Sequence, residues 1–294
     1  MTFKNEKKFK EFTISIGAMG ISFLFDQESF KFGVGEIKDE FIIDSSSEIK
    51  LRIHHGGFPE SRIEEKIFDS GSTWSLYCNE GKFFLQDCSY ESSSLLEKLV
   101  ILESDFKSGE IYIKNNDSGQ NLLPDPLGYP LNQVLMVILL SRCKGVMFHA
   151  CGIDDRGYGY LFLGNSTHGK STIARLWSEN QVTILNDDRI IVRERDGELW
   201  MYGTPWHGDF KEVSSKGILV QKIFFLRHGK RNSAVLKEGG EAVSMLLTRC
   251  FPPFWDKKGM DYTVRLCHLI ADKIPCCELN FVPDGKIIDF VRNM

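Results

Sequence analysis

Short runs of alternating apolar and polar residues fill the first part of the chain: FTISI (12–16), ISFLF (21–25), FKFGV (30–34), EFIID (40–44), LRIHH (51–55), KFFLQ (82–86) and EIYIK (110–114). Period-two alternation of this kind, broken by Gly, Asp, Asn and Ser clusters, predicts half-buried strands. The stretch SSSLLEKLVILESDF (92–106) reads differently, as a short helix or as a helical start running into a strand. No repeat of fixed period is visible. The segment KNNDSGQNLLPDPLGYP (114–130) is polar and rich in turn formers, so it reads as a linker or long loop.

Beyond it the periodicity changes. PLNQVLMVILLSRCKG predicts a buried helix from Pro130 to about Gly145. VMFHACGI (146–153) and YLFLG (160–164) predict two strands joined through the Asp/Gly turn DDRGYG, that is, a hairpin. STIARLWSEN (171–180) follows as a helix. More strands are expected at VTILN (182–186), IIVRE (190–194), ELWMYG (198–203) and KIFFL (222–226), and a mainly helical C-terminal part around EAVSMLLTRC (241–250) and VRLCHLI (264–270). The expected organisation is a β-rich N-terminal domain over 1–120 and an α/β domain over 121–294.

Composition narrows the class. With 294 residues, 42% hydrophobic and 26% charged, the chain is of ordinary globular type. A net charge of -4 gives no reason to expect nucleic acid as a partner. The first residues lack an apolar run of signal-peptide length, and VLMVILL (134–140) is too short to span a bilayer. No membrane association is therefore expected, and the eight cysteines, which form no CxxC pair, are expected to be reduced thiols in the cytoplasm. Whether several copies assemble is left open.

The chemistry concentrates at LGNSTHGKST (163–172), which has the spacing G-x-x-x-x-G-K-[ST] with Gly164, Gly169, Lys170 and Ser171 at the fixed positions. Average residue usage produces this match in only about 2% of chains of this length, and the predicted strand and helix on either side lower that further. In such a loop backbone N–H groups converge on an anion and the helix N-terminus adds its positive end. Gly164, Asn165, Ser166, Thr167, His168, Gly169, Lys170, Ser171 and Thr172 are therefore the expected nucleotide-binding residues. Lys170 would reach the β- and γ-phosphates, and Ser171 would sit on Mg²⁺.

In TILNDDRIIV (183–192), Asp187 and Asp188 stand at the end of an apolar strand, where an α/β sheet displays catalytic groups. One carboxylate is suited to hold Mg²⁺, directly or through water, and the other to accept a proton from an attacking hydroxyl. The competing reading is a solvated turn. His149, in VMFHACG, is either a satisfied core histidine or, if the hairpin forms, a neighbour of the loop whose charge shapes the rate between about pH 5 and 8. GTPWHGD (203–209) adds a stiff turn with Trp206, His207 and Asp209, or else a tight loop around a buried Trp. Arg227, Arg231 and Arg249 are candidates either for charge neutralisation on a phosphoryl group or for surface salt bridges.

The hairpin, His149, the loop and the Asp pair together resemble HPr kinase/phosphorylase, whose nucleotide-binding core is similar to that of phosphoenolpyruvate carboxykinase. The resemblance covers roughly 130–230. A histidine precedes the loop lysine, and an Asp-Asp pair follows it, at the family's spacings. The family's loop reads G-x-S-G-x-G-K-[ST], and Thr167 stands here where it has a glycine. The resemblance implies an α/β P-loop kinase core and these roles: Lys170 and the loop amides hold ATP, Ser171 ligates Mg²⁺, and Asp188 is the base. It also implies that Asp187 supports the metal or the base and that His149 assists at the transferred group.

The family's L-E-[IV]-R-G-[LV]-G segment is missing, and GTPWHGD resembles a less characterised bacterial branch. Neither HPr as substrate nor phosphorolytic reversal is therefore implied. The expected activity is ATP- and Mg²⁺-dependent transfer to a hydroxyl, on a serine of a protein or peptide or on a small molecule. A nucleotide-sensing module and a simple ATPase are the alternatives.

Overall fold

The computed structural model describes residues 10–25, 37–60, 65–88, 96–114, 128–142 and 144–294. The FKFGV run, most of the 114–130 linker and Cys143 lie outside them. The fold is mixed α/β with two large sheets and few helices. The chain divides into two compact units. One comprises most of the described residues up to Leu135, and the other runs from Met136 to Met294 with two short pieces, Ile16–Ala18 and Glu36–Phe41.

The first unit is built on β1 (Lys10–Ile16), β2 (Met19–Phe25), β3 (Ile49–His55), β4 (Glu65–Asp69), β5 (Trp74–Asn79), β6 (Lys82–Cys88), β7 (Leu96–Leu102) and β8 (Ser108–Ile113). They form one sheet in the order β1-β2-β3-β8-β7-β6-β5-β4. In β3, Ile49, Leu51 and Ile53 are buried while Lys50, Arg52 and His54 are not, the alternation expected of a half-buried strand. Two expectations are corrected here. Of the two readings of 92–106 the short helix does not hold: Leu96–Leu102 is a strand, with the consecutive residues Leu99 and Val100 each buried, and the residues before it lie outside those described. EFIID is not a strand: Asp39–Phe41 forms a 3₁₀ turn that buries Phe41, and only Ile42 pairs, with Ile14.

The boundary between the units, Leu135 to Met136, falls within α1 (Leu131–Leu140), whose end is turned at Leu140, where the carbonyl accepts from the amides of both Lys144 and Gly145. The helix therefore ends short of the expected boundary near Gly145. The sheet of the second unit comprises β9 (Val146–Asp155), β10 (Tyr158–Leu163), β11 (Thr183–Asn186), β12 (Arg189–Arg195), β13 (Glu198–Gly203), β14 (Gly217–His228), β15 (Ser233–Lys237) and β16 (Cys276–Phe281). β9 and β10 form the expected antiparallel hairpin through Arg156 and Gly157. The path runs β10-β9-β12-β13-β14-β16-β15, and β14 also pairs with β10 in parallel, which closes a circuit of strands. β11 pairs with β9 beyond β12.

Both faces of this sheet carry buried apolar residues, on alternate positions of strands such as β10. In β10, Leu161 and Leu163 pack on one side with α3 (Gly239–Leu247) and α4 (Lys257–Lys273). Tyr160 and Phe162 pack on the other with α2 (Lys170–Ser178) and α5 (Lys286–Arg292). Phe162 stacks on Phe224 at 5.1 Å and meets Trp177 of α2 at 5.3 Å. Each such buried aromatic contributes about 1.5–3 kcal/mol. The C-terminal part is thus helical as expected, but interleaved with β15 and β16. Among the described residues no helix is long and apolar enough to cross a membrane.

One buried charge ties the far end of the hairpin down. Asp155 is 4% exposed and accepts from Arg292 Nε and Nη2, both at 2.8 Å, and from Trp177 Nε1 at 3.3 Å. Burial works to raise its carboxyl, but the bonds and charge of Arg292 outweigh it and the net shift is downward. A group with a depressed folded pKa adds stability above its unfolded value, about 3.9, and loses it as pH falls through the folded value. Asp155→Ala should cost about 3 kcal/mol at neutral pH in urea unfolding. The gap to wild type should narrow below about pH 4, and a gap independent of pH would contradict this account.

Candidate functional site

The hairpin delivers β10 into a loop, Gly164 to Gly169, that turns directly into α2. The helix forms because Ile173, Ala174 and Trp177 give it one apolar face against the sheet. Gly169 takes the N-cap position at φ 93°, and without a side chain it caps nothing. The first-turn amides of α2 are thus left for another acceptor.

Lys170, 7% exposed, donates to the carbonyls of Gly164 at 2.9 Å and Asn165 at 3.2 Å, folding the loop around its own amine. Burial lowers its pKa to about 8. A tight contact fixes the loop from below: a Cβ on Gly169 would stand 2.5 Å from the Phe281 ring. On its outer side His228 Nε2 lies 2.8 Å from the Thr167 carbonyl oxygen.

Beyond β11 the chain turns sharply at Asn186-Asp187-Asp188. Asn186 is fully buried and organises this turn. Its oxygen accepts from the amides of Asp188 and Arg189, and its Nδ2 donates to the carbonyls of Thr204 and Trp206. Asp187, 1% exposed, accepts from Ser171 Oγ at 2.6 Å, Gly208 N at 2.8 Å and Phe210 N at 3.0 Å. The GTPWHGD segment is therefore clamped across both residues. Gly208 is required there, since a Cβ would come within 2.9 Å of Asp187 Oδ1.

Asp188 faces the other way. Its Oδ1 lies 3.0 Å from His149 Nε2, and its Oδ2 is paired with the Arg189 guanidinium. Arg189 and His149 both rest near the Phe251 ring, at 5.3 Å and 6.3 Å. Residues 249–251 reach this position by pairing with β9: Arg249 O accepts from His149 N, and Phe251 N donates to Met147 O. Burial, then the charges of Lys170 and Arg189, lower the imidazole to about 4. The ring is therefore neutral at pH 7 and donates Nε2–H to Asp188.

These groups surround one cavity of about 300 Å³. His149, Ser166, Thr167, Gly169, Lys170, Ser171, Thr172, Asp187 and Asp188 all line it. Gly164 and Asn165 instead take the lysine, and the His168 imidazole does not line the cavity. Trp206 is buried and offers no face to a ligand, whereas Asp209 lines the cavity. None of Arg227, Arg231 and Arg249 lines it. Arg227 pairs with Glu278, and Arg249 donates to Met245 O and Thr248 Oγ1. Besides Lys170, the cavity wall carries the exposed cation Arg175, one turn beyond Ser171 on α2, which sequence reasoning missed together with Asn186 and Arg189. The helical spacing from Ser171 to Arg175 was the available signal.

No protein-family model matches the chain, and no curated protein matches it. Among solved structures it is similar to the HPr(Ser) kinase/phosphatase from Coxiella burnetii, with 12% identity over 50% of this chain and 94% of that one, at a TM-score of 0.33.

Thr167 is a β-branched residue held at φ 70°, where a side chain costs about 1–2 kcal/mol. Thr167→Gly should therefore leave stability unchanged or raise it by up to about 1 kcal/mol. Gly169→Ala should lower it by about 2 kcal/mol or more, through the Phe281 contact and the positive φ. Urea titrations of the two variants check this, and the opposite order would contradict the loop geometry.

Proposed function

We propose that this chain is a phosphotransferase that moves the γ-phosphoryl group of Mg·ATP to a hydroxyl, on a serine of a protein or peptide or on a small molecule. The observation that carries the reading is the Ser171–Asp187 hydrogen bond on the wall of a cavity that also holds Lys170, the uncapped start of α2 and the His149–Asp188 pair. The anion side and the carboxylate side thus face one space, large enough for a triphosphate tail and an acceptor group.

The residues fit a magnesium ion that arrives with the nucleotide. Among the described residues no group of three or more His, Cys, Asp or Glu is arranged to hold a metal alone. Mg²⁺ commonly takes one or two protein oxygens and completes its shell with water and phosphate. Ser171 Oγ and, directly or through water, Asp187 would supply them. When bound, the ion offsets charge on the β- and γ-phosphate oxygens.

The chain's own groups do the rest. Lys170 and the α2 amides hold the phosphates, with the lysine releasing its loop carbonyls to do so. Arg175 extends the positive wall along the helix. Asp188, oriented by His149 and Arg189, takes the proton of the acceptor hydroxyl as its oxygen bonds to the γ-phosphorus and the bond to the β-phosphate oxygen breaks. His149, neutral and donating to Asp188, keeps that carboxylate aimed and leaves a lone pair on its other nitrogen. Water in place of the hydroxyl would make the chain an ATPase, and bound nucleotide without transfer would make it a sensor.

Lys170→Ala should abolish most Mg·ATP affinity in calorimetry while the fold is kept, and unchanged affinity in a folded variant would defeat the reading. Asp188→Asn should still bind Mg·ATP but lose transfer by about 10²–10⁴-fold. The assay is incubation with γ-labelled ATP and lysate of the source cell. Label on a serine or a small hydroxylated molecule supports the kinase. Label only in inorganic phosphate supports the ATPase, and tight binding with neither supports the sensor.

A further inference from the structure

We infer that the connection Gly229–Asn232, between β14 and β15, is a docking element for an acidic stretch of the acceptor, placed beside the glycine loop. Its position follows from the register of the sheet. β10 ends at Leu163, opposite Phe225, so β14 continues past it for Leu226, Arg227 and His228. His228 then meets the carbonyl of Thr167, and the chain crosses the end of β16 toward β15. The connection therefore stands at the same strand ends as the cavity, where sheets of this kind receive ligands.

The connection is also built rather than loose. Gly229 N donates to Phe281 O at 3.1 Å, and Asn232 Oδ1 accepts from Val282 N at 2.8 Å. A Cβ at Gly229 would stand 2.9 Å from both the Arg231 carbonyl oxygen and Asn280 Cβ. A backbone fixed this closely presents Lys230 and Arg231 outward in a defined direction. Both are exposed, and among the described residues neither side chain makes a hydrogen bond or ion pair. Arg227, two residues before the turn, is satisfied by Glu278.

The charge balance makes this arrangement informative. The chain carries a net charge of -4, yet RHGKR (227–231) has three cationic side chains and no acid. Two uncompensated cations beside an anion-binding loop have two plausible partners, the nucleotide and the acceptor. The cavity wall does not include Lys230 or Arg231, and its own exposed cation is Arg175. The geometry thus leaves the connection to a ligand that reaches the cavity from outside, a serine-bearing segment flanked by Asp or Glu. Rim charges of this sort set encounter rate, salt dependence and partner choice. What happens at the serine rests on the phosphotransferase reading; binding of the acidic segment does not.

The test is fluorescence anisotropy at low salt with two labelled peptides, each carrying one serine, one flanked by glutamates and the other by lysines. Wild type should bind the glutamate peptide at least about tenfold more tightly, with affinity falling as salt rises. K230E/R231E should lose that preference, and K230A/R231A should lose part of it. Both should melt like wild type and keep wild-type Mg·ATP affinity in calorimetry. Equal binding of the two peptides by wild type, or an undiminished preference in folded K230E/R231E, overturns the inference. Weakened Mg·ATP binding in the variants also overturns it and assigns the connection to the nucleotide. A wild type that prefers the glutamate peptide but binds no Mg·ATP would defeat the phosphotransferase reading and leave the docking element standing.

Discussion

Asp187 sits almost without water between the glycine loop and the Gly203–Asp209 segment, and the geometry of the cavity depends on the bonds it accepts. A carboxylate at this depth costs several kcal/mol unless donors surround it. Here the Ser171 hydroxyl and the amides of Gly208 and Phe210 do so. Each bond fixes a different piece of chain: the start of α2, the turn at Gly208 and the bend at Phe210. Asn186, one residue earlier, binds the carbonyls of the same segment. The Asn-Asp pair therefore sets the distance between the glycine loop on one side of the cavity and the carboxylate of Asp188 on the other.

The sheet explains why these pieces meet at all. β9 carries His149 and forms a hairpin with β10, while β11 and β12 lie along the opposite edge of β9. Arg189 pairs directly with His149 across that edge. One strand thus positions the loop on one side and the acidic turn on the other. With apolar residues buried on both faces, the sheet is rigid enough to hold these groups to within a hydrogen bond. Asp155, at the opposite end of the hairpin, anchors α2 and α5 to the same strand.

Much of this was legible in the sequence because it is local. The hairpin follows from two apolar runs around an Asp/Gly turn, and the loop from its glycine and lysine spacing. The meeting of His149, Lys170 and the Asp pair was expected from the hairpin and from the family resemblance, and all four residues line one cavity. What stayed hidden is non-local or masked by burial. LEKLVIL loses its period of two because Leu99 and Val100 face two covered sides. β4 and β5 are mostly half-exposed, with no apolar run to mark them. Arg189 lay just before the expected strand IIVRE with no role assigned, and its place over Phe251 depends on a segment about sixty positions away. Trp206, read as a face for a ligand or as a buried side chain, is buried, and its backbone carbonyl is the part the site uses.

The central claim is that one cavity joins a nucleotide's terminal phosphate to the His149–Asp188 pair. A crystal structure of the chain with Mg²⁺, ADP and beryllium fluoride tests it most directly. The account predicts the fluoride group in contact with Lys170 and the first-turn amides of α2, the metal on Ser171, and Asp188 facing the side of the beryllium opposite the diphosphate. Nucleotide bound elsewhere, or bound with Asp188 turned away from the beryllium, would contradict it.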